Sequence, residues 1–399
     1  MKKKITNKLK KPLFELCYRI LMSGTKSKGM ARTPYGVEEL KLVHHALRSQ
    51  RLFRWNGKMV NQFENEFANA YGVPHAVGST SGTSAIHIAL GALDLTDGDE
   101  IITSPITDMG TIVPILAERA VPVFADVDDS YTLSPESIEQ RITDRTKAII
   151  AVHVFGNPCD MDSIMSIAKR HNLPVIEDCA QAHMTDYKGK FLGTIGDMGC
   201  YSFQESKHLS TGDGGMSITS NSAYHERMKL FADKGFDRNS NDQVNYLFQS
   251  PNYRMTELTA AVGLAQLKKV RSVVKRRNQI GSKLTELLSG LEGVKPAPVT
   301  SGGSHSYWSY PLYLEKINVN DFLNEMKDSN IPAAAHMSTP VYFMAASLKN
   351  ASKSYDSGLC PNAESLYKHL VNFWINENWN DAHVQHVAEE IKKSVKKLS

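Results

Sequence analysis

Lys207 lies in a segment whose composition suits covalent chemistry. Residues 204–215 form a polar, glycine-punctuated stretch between two short apolar runs. A primary amine in surroundings less polar than water is released in its neutral form, which can attack an aldehyde to form a Schiff base. Most lysines are solvated surface groups. A reactive role for Lys207 therefore depends on the residues that accompany it.

Residues 78–84, which read Gly-Ser-Thr-Ser-Gly-Thr-Ser, precede a predicted helix at 85–93. Free N–H groups and the helix dipole favour an anion at such a position, so Gly82 and Thr83 are candidates for binding a phosphate. There is no P-loop lysine and no Gly-x-Gly-x-x-Gly, so the known nucleotide-binding motifs do not fit. The turn is either a phosphate site or simply a well-capped helix start.

Residues 177–183, Glu-Asp-Cys-Ala-Gln-Ala-His, follow a predicted apolar strand. A carboxylate at that position is unfavourable unless a cation meets it. Asp178 is therefore interpreted either as a capping or arginine-paired residue, or as the partner of a protonated ring nitrogen, as in pyridoxal phosphate enzymes. His183 is assigned a structural role, since no metal-ligand spacing surrounds it, and no metal site is expected.

Ser202 stands five residues before Lys207. A hydroxyl near a phosphate and an amine near an aldehyde suit opposite ends of one small cofactor. The three segments together supply a phosphate site, a ring-nitrogen partner and a Schiff-base amine.

These segments follow predicted strands of a single sheet. Apolar, β-rich runs alternate with helical patterns from about residue 75 to 235, which is typical of a parallel sheet flanked by helices. Ligands of such sheets bind beyond the carboxyl ends of the strands. Within this region Asp160 is a predicted N-cap of a helix. Seven strands are predicted, at 75–79, 100–104, 121–125, 147–153, 174–177, 198–203 and 215–219.

The length of 399 residues predicts about two domains. We assign residues 34–270 to a large α/β domain that ends in a linking helix, and residues 271–399 to a smaller C-terminal α/β domain. Residues 1–33 form a basic extension, read as a weakly docked terminus or, alternatively, as a tether to a membrane surface or polyanion.

The composition argues against several classes of function and location. With 41% hydrophobic residues, 22% charged residues and a net charge of +4 concentrated at the N-terminus, the chain is typical of soluble proteins without a body-wide nucleic-acid surface. No signal peptide or membrane-spanning run is recognised. The five cysteines are widely spaced without a C-x-x-C pair, which indicates reduced thiols and a cytoplasmic location.

The motifs together resemble the sugar aminotransferases of the DegT/DnrJ/StrS type, a branch of the fold-type I pyridoxal phosphate enzymes. The resemblance covers the chain from about residue 34 to the C-terminus. It is carried by residues 81–85, 122–127, 177–183, 202–207 with 212–215, and 252–255, and more weakly by residues 360–364.

This resemblance implies roles for individual residues. Lys207 would form the Schiff base with pyridoxal 5'-phosphate, and Asp178 would pair with the pyridine nitrogen. Gln181 would lie near the phenolic oxygen of the cofactor. The phosphate would be held by Ser202, by the backbone at Gly82 and Thr83, and by Asn252 of a neighbouring subunit, so a homodimer with shared sites is implied.

Three positions depart from the family pattern. Residues 105–111 lack the aromatic side chain that usually stacks on the cofactor ring, and Met109 stands at roughly that place, where its polarisable thioether can pack on a ring. Gln204 replaces a frequent histidine, and Met184 a frequent glycine. Both replacements are expected to bear on the substrate.

The implied activity is transfer of an amino group from glutamate or glutamine to a keto sugar, which is expected to be linked to a nucleotide. The implied pathway is amino-sugar or surface polysaccharide biosynthesis, with pyridoxamine phosphate as the intermediate cofactor form. Alternatives are a cyclitol (inosose-type) aminotransferase, a pyridoxal phosphate-dependent sugar dehydratase and a non-catalytic regulatory relative. In dehydratases the lysine is commonly replaced by histidine, so Lys207 favours transamination. His336, Tyr342 and residues 237–249 are candidates for the substrate wall.

Overall fold

The computed structural model describes residues 35–240, 245–329, 331–335, 339–344, 348 and 355–399. The basic extension at 1–33, His336 and part of the predicted substrate loop, residues 241–244, lie outside the described residues.

A seven-stranded sheet forms the centre of the larger part of the chain, as predicted. Its order is β1-β9-β8-β5-β4-β2-β3. Strands β3, β2, β4, β5 and β8 run parallel, whereas β9 is antiparallel to both β1 and β8. The strands, with a small hairpin β6–β7, are β1 His75–Ser79, β2 Glu100–Thr103, β3 Val121–Phe124, β4 Thr146–Val152, β5 Val175–Asp178, β6 Asp186–Tyr187, β7 Lys190–Phe191, β8 Met198–Ser202 and β9 Gly215–Thr219.

Helices cover both faces of this sheet. Neighbouring residues of one strand point to opposite faces, so Ile149 packs into one apolar cluster and Ile150 into the other. The predicted cap is confirmed, because the Asp160 side chain accepts a hydrogen bond from the Ser163 N–H at the start of the helix Met161–His171. The helices of this part are α1 Val37–Ser49, α2 Met59–Tyr71, α3 Gly82–Leu90, α4 Met109–Ala117, α5 Pro135–Arg141, α6 Met161–His171 and α7 Ser222–Ala232.

Helix α8, Glu257–Leu288, runs from the first part of the chain into the second. Its first half packs against α1 and α2, and its second half packs against the last helix of the chain, Asp381–Leu398. The proposed domain boundary at residue 270 falls inside this continuous helix, where the apolar pattern around Val270 leads into the basic run at residues 275–277 without a break.

The C-terminal part is a smaller antiparallel sheet with helices. Its strand order is β10-β11-β13-β12, and its core is a third apolar cluster that includes Leu284 of α8 and Phe322. Its elements are β10 Val294–Lys295, β11 Tyr310–Leu314, α9 Val319–Met326, β12 Ala333–Ala335, α10 Val341–Met344, α11 Pro361–Tyr367, β13 Leu370–Phe373 and α12 Asp381–Leu398. None of the helices within the described residues is long and apolar enough to span a bilayer.

Candidate active site

A cavity of about 380 Å³ lies at the carboxyl ends of the strands. This is the edge at which open α/β sheets bind ligands. Each contributing segment follows a strand of the central sheet except one, which comes from the C-terminal part of the chain. The predicted residues that line the cavity are Gly82, Thr83, Asp178, Gln181, Ser202 and Lys207.

Asp178, the last residue of β5, presents a buried carboxylate to the cavity. Its Oδ1 accepts a hydrogen bond from the Ala180 N–H at 3.0 Å, and its Oδ2 accepts one from the Thr111 hydroxyl at 2.8 Å. Burial raises the pKa of Asp178, while these hydrogen bonds and the charge of Lys207 act in the opposite direction. A carboxylate held in this way is suited to a cationic partner within the cavity.

The start of α3 forms another wall of the cavity. The Ser81 side chain caps the helix by accepting from the Ser84 N–H at 3.0 Å, and the first N–H groups of a helix, here those of Gly82 and Thr83, have no acceptor within it. The Gly82 backbone approaches Ser202 closely, since a Cβ at Gly82 would lie 2.6 Å from the Ser202 Cβ. Backbone donors and a hydroxyl thus line one end of the cavity, as phosphate binding requires.

Lys207 lies in the turn after β8 and is half-buried. Its Nζ lies 4.5 Å from the centre of the Trp308 ring. Trp308 also lines the cavity and precedes β11 of the C-terminal sheet. The amine, the carboxylate of Asp178 and the start of α3 therefore surround one cavity.

Gln181 has its side-chain oxygen engaged with backbone. Its Oε1 accepts from the Phe155 N–H at 2.6 Å, where Phe155 holds a left-handed backbone with φ of 61°. The Gln181 carbonyl in turn accepts from the Ser306 hydroxyl at 3.2 Å. Gln181 therefore ties the segment that leads to Trp308 to the cavity wall.

Two predicted residues and one candidate for the substrate wall do not line this cavity. Met109 begins α4 and packs partly buried among apolar side chains, whereas its neighbour Asp108 lines the cavity. Asn252 is exposed outside the cavity of its own chain. Tyr342 is buried, and its hydroxyl donates to Glu364 at 2.7 Å.

Asp108, Thr111 and Trp308 are among the lining residues that were not singled out from the sequence. Asp108 is the N-cap of α4 and accepts from the Gly110 N–H at 2.7 Å. An Asp before an apolar run is a readable cap signal. Thr111 and Trp308 carry no comparable local signal, because their partners lie far away along the chain.

His153, Glu177 and Cys179 bring potential metal-ligating atoms within 4.8 Å of one another. The His153 Nδ1 accepts from the Cys159 N–H at 3.1 Å, and its Nε2 faces Glu177 at 3.0 Å. Burial raises the pKa of the Cys179 thiol to about 12, and both ring nitrogens of His153 are already engaged in hydrogen bonds. The group is a hydrogen-bonded support beneath Asp178.

His183 lies outside the cavity lining and is fully buried. Its Nε2 donates to the Ser202 carbonyl at 2.9 Å, and burial lowers its pKa to about 4. A neutral imidazole thus holds the end of β8 in place.

The fold and the cavity define a class of protein. The cavity lies at the edge of a mostly parallel sheet and is lined by an amine, a buried carboxylate and the start of a helix. These groups match the aldehyde, the ring nitrogen and the phosphate of pyridoxal phosphate, respectively. The side chains present fit that cofactor, and the architecture is that of the fold-type I pyridoxal phosphate-dependent transferases.

Comparison with known proteins identifies the family. The sequence profile of the DegT/DnrJ/EryC1/StrS aminotransferase family matches residues 35–392, and the chain belongs to this family. Its members are pyridoxal phosphate-dependent aminotransferases, which confirms the resemblance, the fold class and the enzyme class expected from the sequence.

The alignments with known relatives cover most of this chain. The spore coat polysaccharide biosynthesis protein SpsC of Bacillus subtilis is 34% identical and aligns over 90% of this chain and 95% of its own length. GDP-perosamine synthase of Escherichia coli O157:H7 is 33% identical, over 84% and 90%. The crystal structure of an aminotransferase from Psychrobacter cryohalolentis is 30% identical and superposes with a TM-score of 0.85, covering 92% of this chain and 98% of that one.

Proposed function

We propose that the chain transfers an amino group from glutamate or glutamine to a keto sugar linked to a nucleotide, with pyridoxal phosphate bound covalently through Lys207. The observation that carries this proposal is the convergence of Lys207, Asp178 and the start of α3 on one cavity. The names of the relatives, which include a GDP-sugar enzyme and a polysaccharide biosynthesis protein, support the substrate class and the pathway type.

The cofactor, when bound, supplies an electron sink that stabilises negative charge at the carbon from which a proton is removed. Asp178 binds the ring nitrogen and keeps it protonated, because a buried carboxylate favours a cation in contact with it. The backbone of Gly82 and Thr83 and the Ser202 hydroxyl bind the phosphate. Gln181 orients the cofactor near its phenolic oxygen.

Lys207 performs the proton transfer. Its Nζ is the primary amine among the described residues that line the cavity and can accept the α-proton of the amino donor, and a primary amine in a partly desolvated site is suited to that task. The amino group arrives and leaves in separate half-reactions, so the kinetics are expected to be ping-pong.

We also propose a homodimer in which Asn252 of one protomer reaches the cavity of the other, since Asn252 is exposed and lies away from its own cavity. The buried free thiols, Cys159, Cys179, Cys200 and Cys360, suit a reducing compartment and support a cytoplasmic location.

The decisive experiment replaces Lys207 by alanine. We expect loss of turnover and loss of the visible absorbance of the bound cofactor, because Lys207 is the only primary amine among the described residues that line the cavity. Lys188→Ala, at an exposed lysine paired with Asp162, is the matched control and is expected to behave like the native enzyme. A Lys207→Ala variant with full activity would exclude the proposed role.

A screen of ketone substrates against the enzyme loaded with pyridoxamine phosphate identifies the substrate class. Nucleotide-linked keto sugars are expected to restore the absorbance of the aldehyde form, whereas inosose-type ketones are not. Restoration by inososes alone would assign the enzyme to cyclitols instead.

A further inference from the structure

Trp308 meets the amine of Lys207 from the other part of the chain. The Lys207 Nζ lies 4.5 Å from the centre of the Trp308 ring, and only 9% of Trp308 is exposed. A cation above an aromatic face is attracted by the ring quadrupole, and the attraction grows as water is excluded. The indole is thus a binding surface for the charged form of this lysine.

The Trp308 ring is fixed from several sides. Its backbone N–H donates to the Phe155 carbonyl at 2.8 Å, and its indole N–H donates to the Ser206 carbonyl at 3.1 Å. The ring also packs edge-on against Trp374, with centroids 5.0 Å apart. Trp308 therefore donates a hydrogen bond to Ser206, the residue next to Lys207 in sequence, while the face of its ring contacts the amine.

We propose that Trp308 is a positioning residue that receives the Lys207 ammonium whenever the amine is not bonded to the cofactor. This proposal rests on the proposed function of Lys207. Each half-reaction frees the amine, and a lysine side chain has several rotatable bonds. A fixed aromatic face keeps the freed, protonated amine beside the cavity instead of letting it turn towards solvent.

Other ionisable groups also act on Lys207. Asp178 and His183 interact with it electrostatically, and further ionisable side chains line the same cavity, namely Asp108, His153 and Asp213. All of these stay unchanged when Trp308 is replaced. Trp308→Phe and Trp308→Leu both lose the indole hydrogen bond to Ser206, so a difference between these two variants reports on the aromatic face itself.

The test measures the protonation of Lys207 without relying on turnover. The full-length chain is freed of cofactor with hydroxylamine and dialysed, and N-hydroxysuccinimide acetate then acetylates only neutral amines. The rate at Lys207 is followed against pH by peptide mass spectrometry. In Trp308→Leu we expect the midpoint of the profile to fall by roughly 0.4 to 0.7 pH units, because the ammonium loses the ring face. Trp308→Phe, which keeps a weaker aromatic face, is expected to fall between the native chain and Trp308→Leu.

Two controls separate positioning from general damage. Lys188, which lies 5.1 Å from the Tyr187 ring centre, is measured in the same digests and is expected to keep its profile in every variant. Trp379→Leu removes a buried tryptophan of the C-terminal core and is expected to leave the Lys207 profile unchanged.

A Lys207 profile with the same midpoint in native, Trp308→Phe and Trp308→Leu chains would overturn the proposal, as would an equal shift in Trp379→Leu. Trp308→Phe preserves most of the ring volume and supplies the comparison if Trp308→Leu does not fold. A failure of the proposed function appears elsewhere, as an active Lys207→Ala enzyme, so the two outcomes are distinguishable.

Discussion

Replacement of Asp178 by asparagine removes a charge while keeping the shape of the side chain. The amide can still meet Thr111 and the Ala180 N–H, so the fold is expected to persist. The ring nitrogen loses its anionic partner, and we expect turnover to fall by roughly 10² to 10³-fold, the range typical for loss of one preorganised electrostatic contact. Steady-state kinetics and circular dichroism measure the two effects, and near-native turnover would refute the pairing.

His305 is fully buried, and burial lowers its pKa from 6.5 to about 3. In the unfolded chain this histidine binds a proton below about pH 6.5, whereas in the folded chain it stays neutral, so the free energy of unfolding falls as pH decreases. Denaturant titrations between about pH 6.5 and pH 5 are expected to show a decline of up to about 1.4 kcal/mol per pH unit from this residue.

His305→Asn is expected to flatten that decline, and the exposed His45→Asn is the matched control. The asparagine side-chain oxygen can still accept the Tyr307 N–H that His305 Nδ1 accepts at 2.9 Å. An unchanged pH dependence in His305→Asn would show that His305 does not contribute to it.

The sequence predicted those site residues that lie next to a strand end. Gly82, Ser202 and Lys207 each follow or end a strand of the central sheet, so their meeting followed from the topology alone. Thr111 is 67 residues from Asp178, and Trp308 is 102 residues from Ser206. Such pairs are created by packing between elements, which periodicity and local motifs do not encode.

At the scale of elements, the contact between the start of α3 and the end of β8 leaves no room for a side chain at Gly82. In Gly82→Ala the new Cβ would lie 2.6 Å from the Ser202 Cβ, so one segment must shift at the phosphate site. An overpacking penalty of about 1 to 3 kcal/mol, when borne by the cofactor-bound form, corresponds to a loss of cofactor affinity of roughly 5-fold to 150-fold. Titration with pyridoxal phosphate measures the affinity.

Gly36→Ala is the control for this change, because a Cβ at Gly36 meets its nearest atom only at 3.6 Å. It is expected to bind the cofactor like the native chain. Equal affinity of Gly82→Ala and the native protein would place the phosphate away from this contact.

The elements of the sheet were predicted well, and their arrangement was not. The strand predicted at 215–219 matches β9 at both ends, yet alternation of apolar residues does not reveal that β9 is inserted antiparallel between β1 and β8. Strand order depends on crossover connections and on the packing of helices, and neither is a local property.

At the scale of the whole molecule, the shared-site dimer predicts complementation. Lys207→Ala and Asn252→Ala chains are each expected to have little activity alone. After the two are mixed and allowed to exchange subunits, one of the two sites in each mixed dimer has both an intact Lys207 and an intact Asn252. Random pairing then restores roughly a quarter of native activity.

Absence of any recovery, with mixed dimers demonstrated by native mass spectrometry, would show that Asn252 does not serve a neighbouring cavity. Lys188→Ala mixed with Lys207→Ala is the control for the mixing procedure. Because Lys188→Ala is active on its own, this mixture is expected to keep roughly half of native activity with or without subunit exchange.

Helix α8 has a practical consequence for anyone who wishes to divide this enzyme. At 32 residues it is roughly 48 Å long, and its apolar faces pack against both parts of the chain. A cut within it would leave each fragment with part of a helix whose apolar face is exposed to solvent. Fragments meant to reassemble are better separated at the surface turn of residues 289–293, so that helix α8 remains intact in the first fragment.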